Sequence, residues 1–118
     1  MYATAREKFA HVAKRPGMYL FDGRFITAVA FVTGYDQALE MRLLTGFGDW
    51  LCDRAGKPRL SNLFWSAVIG VLVFPDWFEQ HRMAKDLKPE EDRQLVQYMF
   101  DRLEGFLAEK SESTEHLG

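Results

Sequence analysis

The sequence predicts an all-α protein: a single compact domain of four or five helices around a buried apolar helix. Three observations lead to this prediction. Apolar residues recur at spacings of three and four in several segments, which is the period of an amphipathic helix. Proline and glycine interrupt these segments at points that suit short loops. Apolar residues make up 47% of the 118 residues, which is enough for one packed core.

The first predicted helix covers residues 5–14, and Thr4 can cap its N-terminus. Its apolar face consists of Phe9, Val12 and Ala13. Pro16 ends this helix, because proline disfavours the helical region for the residue that precedes it. The pair Pro16–Gly17 then suits a type II turn, since glycine tolerates the positive φ that this turn requires.

Four large apolar residues, at positions 18–21, follow this turn directly. Burial of a large apolar side chain is worth about 1.5–3 kcal/mol. We therefore expect residues 18–21 to enter the core between the first and second helices.

The second predicted helix is long, from Arg24 to about Leu44, and Asp22 can accept hydrogen bonds from its first amides. One face repeats apolar residues every three or four positions: Phe25, Val29, Val32, Tyr35, Leu39 and Leu43. Gly34 lies in the middle of this helix, where glycine costs about 1 kcal/mol relative to alanine. We interpret it as a point that a neighbouring backbone approaches closely.

Two helices are predicted in the middle of the chain. Residues 47–54 form a short helix, and residues 55–58 form the loop that follows it. Residues 63–74 are apolar nearly all round and end at Pro75. Their length and lack of alternation favour a buried central helix, although their β-branched residues would also suit a strand.

The last predicted helix begins at Pro89, and the three acidic residues that follow it suit a helix N-terminus. Its apolar face consists of Leu95, Met99, Leu103, Phe106 and Leu107. Residues 1–110 are thus predicted to form one helical domain. Residues 111–118 are polar, and we expect a disordered tail there.

Composition argues against several classes of function. The chain has 15 basic and 17 acidic residues, interspersed, so the basic face of a nucleic-acid binder is not expected. The longest apolar run is too short to span a bilayer, and the charged residues 6–8 do not suit a signal peptide. Cys52 is the only cysteine, which fits a reducing compartment. We expect a cytoplasmic protein, for which a homo-oligomer is possible.

The sequence offers few candidates for catalysis. Ser66 lies within the apolar run with no histidine nearby, so it is interpreted as a core hydroxyl. The three histidines are scattered and form no pair with metal-ligand spacing. Asp49 and Asp53 fall on one helical face, where a solvated acidic surface is preferred over an acid–base pair. We therefore predict no catalytic residue, no metal and no cofactor.

Two tryptophans, Trp50 and Trp77, lie beside acidic residues in the middle of the chain. Tryptophan is enriched at binding hot spots, although packing in the core is its more frequent role. We predict that two segments come together as one face for a basic partner, formed by Asp49, Trp50, Asp53, Asp76, Trp77 and Glu79.

Residues 14–19, Lys-Arg-Pro-Gly-Met-Tyr, resemble the segment that opens the ATPase domain of type II DNA topoisomerases. That family requires an asparagine-bearing helix soon afterwards for magnesium and ATP. Asn62 is the only asparagine and lies too far along the chain, so this resemblance is set aside.

The sequence is also similar to small bacterial proteins that carry Arg-Pro-Gly-Met-Tyr-Leu, here residues 15–20, after a short first helix. They share a Gly-Tyr pair, here Gly34–Tyr35, a tryptophan-containing apolar helix and an acidic helix rich in phenylalanine and leucine. Such proteins resemble immunity partners in polymorphic-toxin and interbacterial-competition systems. The resemblance implies that this chain binds and occludes a cognate toxin.

An alternative hypothesis is a small enzyme, or enzyme subunit, that binds a nucleotide or another phosphorylated ligand near residues 15–21. Its pocket would gather side chains around the Pro-Gly turn: Arg15, Arg24, Tyr19 and His11.

Overall fold

The computed structural model describes residues 2–15, 22–57, 60, 63–77 and 87–117, with side chains described as far as residue 112. The described residues form five helices: α1 (Tyr2–Lys14), α2 (Phe25–Ala38), α3 (Phe47–Ala55), α4 (Trp65–Val73) and α5 (Pro89–Leu117). The described residues include no strand, so the predicted all-α fold is confirmed. Buried residues from all five helices join in one hydrophobic core.

Helix α5 is the longest, with 29 residues, and it packs against each of the other four helices. Its predicted apolar face is confirmed, because all five residues named for it are buried. It begins at Pro89, as the sequence predicts. It also continues to Leu117 and buries Ser111, where the sequence predicted the start of a polar tail.

Helix α1 lies antiparallel to α5. Arg6 donates a hydrogen bond from Nε to Glu104 at 3.1 Å, and the ring centroids of Phe9 and Phe100 are 6.2 Å apart. As the residue number increases along α1, the number of the contacting residue on α5 decreases. This register places the C-terminal end of α1 beside the N-terminal end of α5.

Helix α1 differs from its prediction in two details. It begins at Tyr2, so Thr4 lies within the helix and is not its N-cap. Ala13, expected on the apolar face, is exposed, and Ala5 joins Phe9 and Val12 on the buried face instead. The predicted burial of residues 18–21 concerns a segment outside the described residues.

Helix α2 ends at Ala38, whereas the sequence predicted a helix as far as Leu44. The side chain of Asp36 accounts for the earlier end. Its carboxylate accepts hydrogen bonds from the backbone N–H groups of Leu43 and Leu44, at 3.0 and 2.9 Å. Two non-glycine residues of the connection have positive φ, 58° and 62°, which a continuing helix does not allow. Leu43 and Leu44 are therefore buried in the core although they belong to a loop and not to a helix.

Helices α3 and α4 match their predictions closely. Helix α3 ends at Gly56, whose backbone adopts the left-handed helical conformation with φ of 67°. The apolar segment is a helix and not a strand, and it buries one face, formed by Trp65, Val68, Ile69 and Gly70. Phe64, just before it, is 58% exposed. The apolar run thus covers one side of the core, while the amphipathic α5 contacts all the other helices.

The close approach predicted at Gly34 is wrong: this residue is exposed, and a Cβ there would meet no atom of the described residues within 4 Å. Close approaches occur at two other helical glycines. A Cβ at Gly70 would lie 2.7 Å from Cε2 of Trp77, and a Cβ at Gly105 would lie 3.2 Å from Cη2 of Trp50. Both tryptophans therefore pack where a helix carries no side chain.

Candidate functional site

Trp50 is held against α5 by several contacts. Its ring centroid lies 5.7 Å from that of Phe106 and 6.2 Å from that of Phe47. The guanidinium carbon of Arg54 lies 4.9 Å from the indole centroid. The indole Nε1–H donates a hydrogen bond to Glu109, which also forms an ion pair with Arg54. Trp50 is therefore half-buried in one fixed orientation.

Two carboxylates flank this tryptophan on the solvent side of α3. Asp49 and Asp53 are both exposed, and their spacing of four residues places them on one helical face. The side chain of Glu109 is 46% exposed beside them and is partly neutralised by Arg54. We call Asp49, Asp53 and Glu109, with Trp50 among them, the acidic surface.

The second half of the predicted face is not built as expected. Trp77 is only 6% exposed, and its ring packs against Gly70 of α4. Asp76 is half-buried, and Glu79 lies outside the described residues. The structure thus brings Asp49, Trp50 and Asp53 together on α3, while Trp77 is part of the core.

Cys52 lies on the inner side of α3 and is buried. Burial raises the pKa of its thiol, and the nearby carboxylates of Asp49 and Asp53 raise this pKa further. The thiol is therefore protonated at neutral pH, which makes it a poor nucleophile.

A large groove lies between α1 and α5, with a volume of about 1020 Å³. Its walls are one stripe from each helix, mostly apolar: Phe9, Ala10 and Ala13 on α1, and Val96, Phe100 and Leu107 on α5. Arg6 and Glu104 bridge the two helices at one end. We call this feature the α1–α5 groove.

The other end of the α1–α5 groove is charged. Lys14, Arg24 and Arg93 line it, together with Asp22 and Asp92. These two carboxylates bind the start of α2, where backbone N–H groups lack helical partners.

Asp92 accepts a hydrogen bond from the N–H of Phe25 at 2.8 Å and lies 4.0 Å from Nε of Arg24. Asp22 accepts a hydrogen bond from the backbone N–H of Arg24 at 3.0 Å and another from the hydroxyl of Thr27 at 2.9 Å. These two hydrogen bonds hold the pKa of Asp22 below its ordinary value. Asp22 was expected to bind the first amides of α2, and it does so just before the first helical residue.

The residues named for a phosphorylated ligand are not gathered as a group. Arg24 lines the α1–α5 groove, whereas Arg15 and His11 are exposed and are not among its lining residues. Tyr19 lies outside the described residues. Sequence reasoning missed Lys14 and Arg93, which line the groove. The sequence feature that could have indicated the groove is the pair of small residues Ala10 and Ala13 on α1, because small side chains leave space beside a neighbouring helix.

Within the described part of the chain, no three histidine, cysteine, aspartate or glutamate side chains are grouped so that they could hold a metal ion. The described helices include none with the length and apolar character needed to cross a membrane.

Comparison of the chain with protein-family models, with curated proteins and with solved structures gave no match. Its function therefore has to be inferred from its own residues and geometry.

Proposed function

We propose that the protein is a non-catalytic inhibitor that binds a basic protein partner through the acidic surface on α3 and α5. The partner best suited to this role is a bacterial toxin whose cationic cleft is occluded, so the protein would act as a cytoplasmic immunity protein. The supporting observation is the arrangement of Asp49 and Asp53, exposed on one face of α3, around the fixed indole of Trp50.

The rigidity of Trp50 supports a binding role. Phe47, Phe106 and Arg54 surround its ring, and Glu109 fixes the direction of its N–H group. A side chain that is already ordered loses little conformational entropy on binding. The exposed part of the indole can therefore contribute contact area at small entropic cost, as tryptophan does at binding hot spots.

The charges of the acidic surface support the choice of a basic partner. Neither Asp49 nor Asp53 forms an ion pair with any residue that the structure describes, and Arg54 is paired with Glu109. Exposed charges of one sign attract a partner of opposite sign and raise the rate of association. A toxin that handles nucleic acid or nucleotides needs a cationic cleft, which these carboxylates would complement.

Charge reversal tests the proposal. The double variant Asp49→Lys/Asp53→Lys is compared with the parent and with a matched double reversal, Glu7→Lys/Glu90→Lys, at two exposed positions outside the acidic surface. Each immobilised protein is incubated with lysate of the native host, and retained proteins are identified by mass spectrometry. A basic toxin should be retained by the parent and the control and lost by the double variant.

The captured toxin is then titrated with each protein by calorimetry and co-expressed with each in a laboratory bacterium. We expect the double variant to bind at least about tenfold more weakly and to protect growth poorly. Circular dichroism verifies that it is folded. Equal affinity and equal protection by the folded double variant would exclude the acidic surface as the binding site.

A further inference from the structure

We propose that the α1–α5 groove binds an amphiphilic anion, in which a phosphate or carboxylate head is attached to an aliphatic chain. This inference is independent of the proposed inhibitory function. The acidic surface meets α5 at Gly105 and Glu109, whereas the groove runs along Val96, Phe100 and Glu104 on another face of that helix.

The groove has the size and lining of a ligand site. Its volume of about 1020 Å³ is at the upper end of the range for small-molecule pockets. Arg93 and Glu104 both line the groove on α5 and are eleven residues apart, or about 16 Å at the helical rise of 1.5 Å per residue. An extended chain of about twelve carbons is of similar length. The groove is therefore long enough for an alkyl ligand.

Small side chains on α1 create the space for an apolar chain. Ala10 and Ala13 are exposed along the groove, one turn apart on the same face of α1. Phe9 and Phe100 form its floor and are almost completely buried. An aliphatic chain lying over this floor would remove the alanines and Val96 from water, which is favourable in proportion to the apolar area covered.

Two cations at one end of the groove favour a ligand with an anionic head. Lys14 and Arg93 line the groove, and neither forms an ion pair with any residue that the structure describes. The carboxylates at this end are already engaged, Asp22 with the N–H of Arg24 and Asp92 with the N–H of Phe25. A phosphate or carboxylate between Lys14 and Arg93 would accept charge-assisted hydrogen bonds, which are stronger than neutral ones.

The charges at the opposite end determine the direction of the ligand. Glu104 pairs with Arg6 there, and Asp101, which also lines the groove, pairs with Arg102 at 3.2 Å. Arg6, the basic residue that lines this end, is thus matched by a carboxylate, and Arg102 does not line the groove. The head is therefore expected at Lys14 and Arg93, with the chain directed toward Glu104.

The experiment measures binding of dodecyl phosphate, below its micelle concentration, to the full chain by calorimetry. Inorganic phosphate tests the head alone, and dodecyl maltoside tests an uncharged amphiphile. Vesicles that contain an anionic phospholipid distinguish a membrane surface from a free ligand. We expect the parent to bind dodecyl phosphate at least tenfold more tightly than either partial probe. Equal binding of dodecyl maltoside, or binding to vesicles only, would overturn the proposal.

Two variants locate the site. Lys14→Ala/Arg93→Ala removes the cations, and Ala13→Trp fills the groove from an exposed position of α1. Lys57→Ala/Arg42→Ala is the matched control, because both residues are exposed and neither lines the groove. The first double variant should bind at least tenfold more weakly, Ala13→Trp should not bind, and the control should match the parent. If Ala13→Trp fails to fold by circular dichroism, Ala10→Phe replaces it. Unchanged affinity in folded groove-filling or cation-free variants would refute the site.

Discussion

The indole ring of Trp77 lies so close to Gly70 that a Cβ at position 70 would be 2.7 Å from Cε2 and 2.8 Å from Cδ2. Trp77 also donates its backbone N–H to the carbonyl of Phe74 at 2.9 Å. The turn after α4 is thus folded back onto the helix that precedes it. Trp77 is buried by this contact, which is why it cannot serve as an exposed anchor for a partner.

Gly70→Ala should destabilise the protein, although alanine is intrinsically the better helix former. The added methyl group would overlap the Trp77 ring, and overpacking of this kind costs about 1–3 kcal/mol. Gly34→Ala is the matched control, since Gly34 is also helical but has no neighbour among the described residues within 4 Å of the new Cβ. It should stabilise by up to about 1 kcal/mol. Urea denaturation of both variants measures these changes.

The two glycine substitutions are thus predicted to have opposite signs. If Gly70→Ala were as stable as Gly34→Ala, the close packing of Trp77 on α4 would be wrong. Trp77 fluorescence, isolated in a background that lacks the other tryptophans, reports whether the ring has moved toward solvent.

Asp36→Ala should be strongly destabilising, whereas Asp36→Asn should recover much of the loss. One carboxylate oxygen of Asp36 accepts hydrogen bonds from the backbone N–H groups of Leu43 and Leu44, and Asp36 as a whole is 7% exposed. Alanine would leave these buried donors without a partner, at about 1–3 kcal/mol each. Asparagine keeps an acceptor oxygen in the same place. Equal stability of the two variants, measured by urea denaturation, would contradict this role.

The stability of the protein should depend on the ionisation of Asp22 in acid. Hydrogen bonds from the Arg24 backbone and the Thr27 hydroxyl lower the native pKa of Asp22, so the ionised form favours folding. This contribution is present above the unfolded pKa of about 3.9 and is lost as the pH falls through the lower native value. Asp22→Asn should therefore reduce the loss of stability between about pH 5 and pH 3. Denaturation curves at several pH values test this, and identical pH profiles would refute it.

Cys52 should react slowly with iodoacetamide in the native protein and rapidly in urea. Its thiol is buried, and its pKa is raised first by burial and then by Asp49 and Asp53. Asp49→Asn/Asp53→Asn should increase the native rate only slightly, because burial remains. Mass spectrometry measures the labelling. Rapid labelling of the native parent at neutral pH would show that the thiol is accessible and ionised.

Helix α5 shows which features the sequence pattern alone can predict. Its apolar residues recur at helical spacing between Leu95 and Leu107, and all five predicted core positions are buried. Pro89 marked its start because proline needs no N–H partner at the first helical position. These features depend on neighbours within one segment, so they could be read without knowing what the helix packs against.

Helix α2 shows where this reasoning failed. Leu39 and Leu43 continue the apolar spacing of the helix, yet the chain leaves the helix at Ala38. The decisive group is Asp36, whose carboxylate binds two later N–H groups and competes with helical hydrogen bonding. Periodicity counts apolar positions and carries no information about which polar side chain turns inward.

The candidate sites also combine features that the sequence predicts with features that depend on tertiary contacts. The exposure of Asp49 and Asp53 on one face followed from their spacing in a helix, and the structure places both at the surface. Two other features depend on contacts between separate elements. One is the burial of Trp77 against Gly70, and the other is the position of Lys14 and Arg93 at the same groove. The all-α class, the bounds of α3 and the core face of α5 were determined by the sequence itself, since local hydrogen bonding and burial of one face decide them. Which tryptophan stays accessible, and which charges meet across α1 and α5, was decided only by tertiary packing, because residues far apart in the chain become neighbours only after the helices assemble.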